Sequence, residues 1–258
     1  MAKLTKQQVK HHEQACAFLQ KDELTFDEKW FVFEHWHEGA EHMNGKAGAF
    51  FTPVELASDF RIDVSGDRVI DLCAGIGVLA FMYYHLYHHD TPPEITCVEI
   101  NAAYVEIGKK LLPEATWICG DVFEVCQDLG RFDHAIANPP FGRVASSGSG
   151  PRYSGAEFEY KIIDLASQLA EFGTFILPQG SAGFRYSGAQ YYERQENAKY
   201  QKFHEQTGIH LEAGCGIDTT VHQDGGKGAS VPCEIVSAEF EEVQPVHQAA
   251  QVEQLVLL

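Results

Sequence analysis

Asn138-Pro139-Pro140-Phe141 combines residue types suited to holding a planar amine. Two successive prolines fix φ and donate no backbone hydrogen bond, so the Asn138 amide and the carbonyls beside it face outward as acceptors. Phe141 adds a flat apolar surface next to them. An aromatic amine such as N6 of adenine needs both, acceptors for its N–H groups and a face on which its ring stacks. Taken alone, Asn-Pro-Pro also serves as an ordinary strand-ending turn.

A second constellation lies upstream. Arg68 to Ala80 reads as an apolar strand ending at Asp71, a turn through Cys73, Ala74, Gly75 and Gly77, and the start of a helix. Glycines let backbone approach a ligand where any Cβ would clash, and the helix start presents unpaired N–H groups. The dinucleotide fingerprint would place a third glycine where Ala80 stands, and Asp71 suits a cationic ligand better than a pyrophosphate. Glu94 to Ile100 reads as the next strand, placing Glu99 at the interval where such units offer an acid to ribose hydroxyls, with Ile100 after it. A third strand, Ala115 to Cys119, runs into Gly120-Asp121-Val122-Phe123, and Asp121 there suits an adenine amino group. Each acid singly also fits a helix cap or turn; their succession at strand ends favours a ligand.

These residues resemble the S-adenosylmethionine-dependent N6-adenine DNA methyltransferases, from about Gly48 to about Arg185. Ala49 to Pro53, with Phe51, Thr52 and Pro53, is similar to that family's Phe-x-x-Pro cofactor motif. Asp71 to Gly77 is similar to its glycine-rich loop, and Asn138 to Phe141 to its catalytic tetrapeptide. Gly173 to Gly180 resembles the strand and turn that follow catalysis in modification subunits of type I restriction systems, and the motif order is gamma-like. The resemblance implies S-adenosylmethionine as cofactor. It also implies acceptance of the N6 protons by the Asn138 side-chain oxygen and the Pro139 carbonyl, Phe141 stacking on the base, and a base flipped out of duplex DNA.

Positioning these residues takes a full α/β core. At 258 residues, 45% hydrophobic, with alternating strand and helix patterns, the chain predicts a Rossmann-like, mostly parallel sheet. Ala213 to His222 and Pro232 to Phe240 are expected to form a terminal antiparallel hairpin around a glycine-rich turn. The expected organisation is a helical N-terminal extension over 1–46, a catalytic domain over 47–240 with a flexible loop at 142–156, and a tail over 241–258. In the extension, Thr5 to Gln20 and a segment opened by the capping box Thr25-Phe26-Asp27-Glu28 read as helices. Trp30, Phe33 and Trp36 then pack on the core or face a partner. His35, His37 and His42 match no zinc spacing, so no metal is expected. Seven scattered cysteines without a C-x-x-C pair suggest reduced thiols in a cytoplasmic protein. The Pro232-Cys233 pair lies in the terminal strand, away from the Asn-Pro-Pro-Phe loop, which argues against cytosine-C5 chemistry. No membrane span or signal peptide is recognisable.

Charge opposes nucleic-acid binding: the net value is −18, yet residues 143–202 carry seven Lys/Arg against six Asp/Glu. Nucleic-acid contacts are therefore expected there, from Arg143, Arg152, Tyr153, Arg185, Tyr186 and Arg194, where basic and aromatic residues interleave. Too little chain follows Gly180 for a separate recognition domain, so DNA sequence choice falls to loops, a homodimer or a separate specificity subunit. RNA adenine or protein glutamine as substrate, and a methyltransferase-like subunit active only with a partner, remain alternatives.

Overall fold

The computed structural model describes residues 5–37, 51–86, 91–225 and 231–240. Residues 38–50, including Ala49, Phe50 and His42, lie outside them, as do most of the turn between the expected hairpin strands and the tail from 241. The centre is a six-stranded sheet built from β1 (Arg68–Leu72), β2 (Glu94–Glu99), β3 (Thr116–Cys119), β4 (Phe132–Ala137), β5 (Ala170–Pro178) and, last in the chain, β8 (Cys233–Glu239). Their order is β3-β2-β1-β4-β5-β8; only β8 runs antiparallel, against β5. A separate small hairpin joins β6 (Phe184–Arg185) and β7 (Glu193–Arg194).

The strands are apolar on both faces because both are covered. Val69, Cys97, Ile136, Ile176 and Ile235 face one hydrophobic cluster, while Ile70, Leu72, Val98, Ala135, Phe175 and Val236 face the other. The first cluster packs under α1 (Lys6–Phe18), α2 (Phe26–His35), α3 (Val54–Phe60), α4 (Val78–Leu86) and α5 (Ala102–Leu111). The second lies under α6 (Val122–Val125), α7 (Phe158–Leu169) and α8 (Ala198–Thr207).

Thr5 and Thr25 both close capping boxes, with Gln8 and Glu28, so the first two helices start where side chains satisfy their free N–H groups. Phe33 and Trp36 are buried; Phe33 meets Phe81, and Trp36 meets Phe51 and Tyr104. The aromatic stripe is thus a brace behind α4 and α5.

The expected terminal hairpin is corrected on one side. Residues 232–240 contain β8, but 213–222 hold no strand: Gly214 and Gly216 turn the chain at φ 55 and 75, Cys215 N donates to the Asp63 carboxylate, and a 3-10 helix begins at Thr219. Just before that segment, Glu212 makes an isolated antiparallel bridge to Ser237 of β8. The antiparallel neighbour of β8 is β5.

Candidate active site

Chain order reverses between β1 and β4, and in open α/β sheets the crevice at such a switch point, beyond the strands' carboxyl ends, is where ligands bind. β1 ends there in Asp71 and Leu72, followed by Cys73 in the left-handed region at φ 63. The turn that follows is fixed from β2: Ala74 N donates to Val98 O at 3.0 Å, and Gly75 N to Glu99 Oε2 at 2.9 Å. Glu99 Oε1 accepts from Asn101 N at 2.8 Å, so one carboxylate ties two loops together. Gly77, at φ 90, has no room for a side chain, since a Cβ would stand 2.9 Å from the Trp117 ring. That indole packs against Gly108 of α5 as well.

Asp71 is 1% exposed, and neither of its oxygens has a hydrogen-bond partner among the described residues. Burial raises its pKa well above the usual carboxylate range; the nearby Ala80 amide offsets part of this without forming a well-shaped bond, and Glu99 adds to the rise. A buried carboxylate without partner is costly to ionise, and a cationic ligand beside it would remove that cost.

These groups open into a cavity of about 570 Å³. Asp71, Cys73, Ala74 and Gly75 form its floor, Glu99, Ile100, Asn101 and Tyr104 one side, and Gly120, Asp121 and Val122 the next. Asp121 caps α6, its Oδ1 accepting from Phe123 N at 2.9 Å. Asn138, Pro140 and Phe141, at the end of β4, complete the wall together with Phe51, Thr52 and Arg143. Asn138 Nδ2 donates to Thr52 Oγ1 at 2.9 Å, which orients the amide.

Four of the expected residues stand behind the wall. Pro139 is buried, Pro53 is the N-cap residue of α3, Gly77 backs onto Trp117, and Phe123 packs edge-on against Phe158. Asn101, Tyr104, Val144, Ala145, Ser146 and Phe158 line the cavity unannounced by any motif. The helix start directly after Glu99 was the signal available for the first two.

The expected nucleic-acid residues divide. Arg143 is exposed at the cavity and Arg185 is exposed on the small hairpin. Tyr153 is corrected to a core residue: it is 1% exposed and its hydroxyl donates to Glu157. Arg152 is likewise a brace, bonded to the fully buried Asp164, to Thr207 O and to Ser167 Oγ. Asp164 also accepts from the Arg152 and Tyr153 amides, so the second half of the 142–156 loop is anchored to α7. Arg194 pairs with Glu196 and Glu212 and lies over the Tyr200 ring, and half-buried Tyr186 packs on the core.

Among the described residues no three His, Cys, Asp or Glu side chains are grouped to hold a metal, and no helix is long and apolar enough to cross a membrane.

Residues 55–148 match the methyltransferase small domain family. No curated protein sequence matches the chain. Among solved structures it is similar to a type I restriction-modification methyltransferase subunit from Streptococcus thermophilus, with TM-score 0.58, 16% identity and coverage of 84% of this chain and 49% of that one. The chain thus spans about half of that subunit's length. A proposed class I S-adenosylmethionine-dependent methyltransferase from Listeria monocytogenes aligns with TM-score 0.59 and 11% identity, covering 89% of this chain and 73% of its own. A proposed RNA methyltransferase from Pyrococcus horikoshii aligns with TM-score 0.51 and 17% identity, covering 88% and 97%. The orphaned Asp71, the side-chain-free turn at Gly75 and Gly77, and the carboxylates of Glu99 and Asp121 fit a cationic adenosine derivative. Over residues 55–148 the chain is thus similar to the methyltransferase small domain, and it adopts the class I methyltransferase fold, for which S-adenosylmethionine is the implied cofactor.

Proposed function

We propose that this protein transfers the methyl group of S-adenosylmethionine to N6 of adenine in DNA. One observation carries the reading: Asn138, Pro140 and Phe141 line the same cavity as Asp71, Gly75 and Glu99, so an acceptor for an aromatic amine and a seat for a cationic donor share one chamber. The bound cofactor supplies an electrophilic methyl on a sulfonium. Asp71 would favour that positive charge, Glu99 would hold the ribose hydroxyls, and Asp121 the adenine of the cofactor. The target N6 is a weak nucleophile while its lone pair is delocalised into the ring. Asn138 Oδ1 would accept one of its protons and the Pro139 carbonyl, on the peptide that leads into cavity-lining Pro140, the other, favouring the tetrahedral nitrogen that attacks, while Phe141 stacks on the base. The excess proton of the methylated amine would leave N6 afterwards, so Asn138 and its neighbours need only hold the amine and no general base is required beforehand. Each preorganised acceptor in a dry site is worth on the order of 3 kcal/mol in the transition state.

The likeness to a restriction-modification methyltransferase subunit supports a DNA substrate, with sequence read by loops, a second copy of this chain or a separate specificity subunit. The seven scattered cysteines, with no C-x-x-C pair among them, fit a reducing, cytoplasmic compartment. RNA adenine is the second reading, favoured by the likeness to the similarly sized Pyrococcus protein. Transfer of labelled methyl to unmethylated genomic DNA, RNA and protein, by wild type and Asn138→Ala, decides between them. Label in DNA as N6-methyladenine, lost in the variant, is the expected result. Label only in RNA selects the second reading, and cofactor binding with no transfer to any substrate overturns both.

A further inference from the structure

Glu159, the second residue of α7, is 2% exposed and takes part in none of the ion pairs among the described residues. Its two oxygens each take a donor from a different loop. Oε2 accepts from the Gly142 amide at 2.7 Å, and Oε1 accepts from the Ser181 hydroxyl at 2.9 Å. That Gly142 amide belongs to the peptide unit whose carbonyl is Phe141's, so Glu159 grips the link directly behind the ring. Ser181 closes the turn after β5. Neighbouring residues of α7 reinforce both ends: Phe158 N donates to Gly142 O at 2.7 Å, and Tyr160 Oη to Ser181 O at 2.9 Å.

At its Gly142 end this link is not hemmed in by packing. Gly142 adopts φ 77, and a Cβ there would meet no atom within 4 Å, so the orientation of the Phe141–Gly142 peptide rests on hydrogen bonds. The grip also lies between two concave surfaces. A groove of about 520 Å³ runs from Phe141 past Pro178 and Gly180 to Asn197 and Lys199, with Glu159 in its wall, and Phe141 is shared between this groove and the cofactor cavity.

We infer that Glu159 is a positioning residue: by clamping the Phe141–Gly142 peptide to the turn after β5, it sets the Phe141 ring against the planar group to be methylated. This rests on the site assigned under the proposed function, without requiring that the planar group be adenine. A buried carboxylate served only by neutral donors is an expensive brace, and its placement directly behind the aromatic wall makes that ring's orientation the thing it secures.

Wild type, Glu159→Ala and Glu159→Gln separate the possibilities through hydrogen exchange over 139–146 and 179–184, S-adenosylmethionine affinity by calorimetry, and methyl transfer to unmethylated DNA. Glu159→Ala is expected to speed exchange roughly tenfold in those two segments alone. It should keep cofactor affinity within about twofold and lose about 30-fold in kcat/KM, most of it in kcat. Glu159→Gln keeps an acceptor for Gly142 and gives Ser181 an N–H to accept, so it should recover to within about fivefold of wild type. Unchanged exchange or turnover in Glu159→Ala overturns the inference. So does faster exchange throughout the domain or loss of cofactor binding, either of which makes Glu159 a general fold element. Should wild type methylate nothing while the two segments loosen as expected, the clamp stands and the proposed activity falls.

Discussion

Asn138 Nδ2 lies 2.9 Å from Thr52 Oγ1, a hydrogen bond spanning 86 residues that joins the loop after β4 to the residue preceding the N-cap of α3. Thr52 is 6% exposed, so the hydroxyl is itself held in place. By accepting one amide hydrogen it selects the side-chain orientation in which the nitrogen faces Thr52 and the oxygen faces the opposite way. Thr52→Val keeps the shape and removes the acceptor. It should lower kcat by about tenfold, close to the worth of one lost hydrogen bond, and leave cofactor affinity within about twofold. Thr52→Ser should retain most of the rate. A Thr52→Val enzyme as fast as wild type would exclude this role.

Asp71 predicts a trade between stability and binding. Its folded pKa is raised, so folding favours its protonated form, and the ligand-free protein loses stability as pH rises from the ordinary carboxylate range through the raised value. Asp71→Asn removes that loss and should stabilise the ligand-free protein at neutral pH by about 1–3 kcal/mol, measured by urea unfolding. The same change withdraws the carboxylate from the cationic cofactor and should weaken its binding at least tenfold. A variant less stable than wild type would mean that Asp71 has a structural partner.

The strand ends carrying Asp71, Glu99, Asp121 and Asn138 were legible because a parallel strand covered on both faces is a short apolar run, and the first polar residue after it marks the sheet edge. What failed to show was tertiary. Gly142 to Gly155 is rich in glycine and serine and reads as a free loop, yet Asp164, nearly two turns into α7, bonds two of its amides and draws Tyr153 into the core. The 213–222 segment has strand-like composition at its start, but Asp63, 152 residues upstream of Cys215, takes the amide a ladder would need. Neither partner is visible from local pattern.

The two readings of the basic residues predict opposite phenotypes. Arg152→Ala leaves Asp164, 0% exposed, without its cation and should cost about 3 kcal/mol of stability while leaving the salt dependence of substrate binding unchanged. Arg143→Ala should leave stability nearly unaltered, raise KM for DNA, and reduce the salt slope by roughly one. Unfolding curves and KM at several salt concentrations check both; a salt slope altered by Arg152→Ala would restore that residue to the substrate face.

His134 sets part of the acid limit. It is 3% exposed; Ser65 N donates to Nδ1 at 3.3 Å, and Nε2 meets Thr174 Oγ1, whose own hydrogen goes to Asp63 O. Protonation would place a second proton on Nδ1 against the Ser65 amide. Burial lowers its pKa to about 4, with Asp133 partly opposing. A depressed folded pKa contributes stability that is complete above the unfolded value near 6.5 and is lost as pH falls towards 4, about 3 kcal/mol for the full shift. His134→Gln should therefore flatten the stability curve between pH 6.5 and 4; an unaltered slope would place the titration elsewhere.

Gly77 links packing to the cofactor seat. Its φ of 90 is strained for any side chain, and a Cβ would stand 2.9 Å from the Trp117 indole, which Gly108 hems in from the other side. The ring cannot retreat, because Nε1 also donates to Leu112 O at 3.1 Å. Gly77→Ala must then either shift Trp117 or move the turn that carries Gly75 and its bond to Glu99. Either route should lower stability by about 2 kcal/mol and weaken S-adenosylmethionine binding at least tenfold. Trp117→Leu in the same chain opens space but leaves the backbone strain, so it should recover part of the stability and only a fraction of the binding. Full recovery of both would show that the steric contact alone, and not the left-handed turn, fixes the cofactor loop.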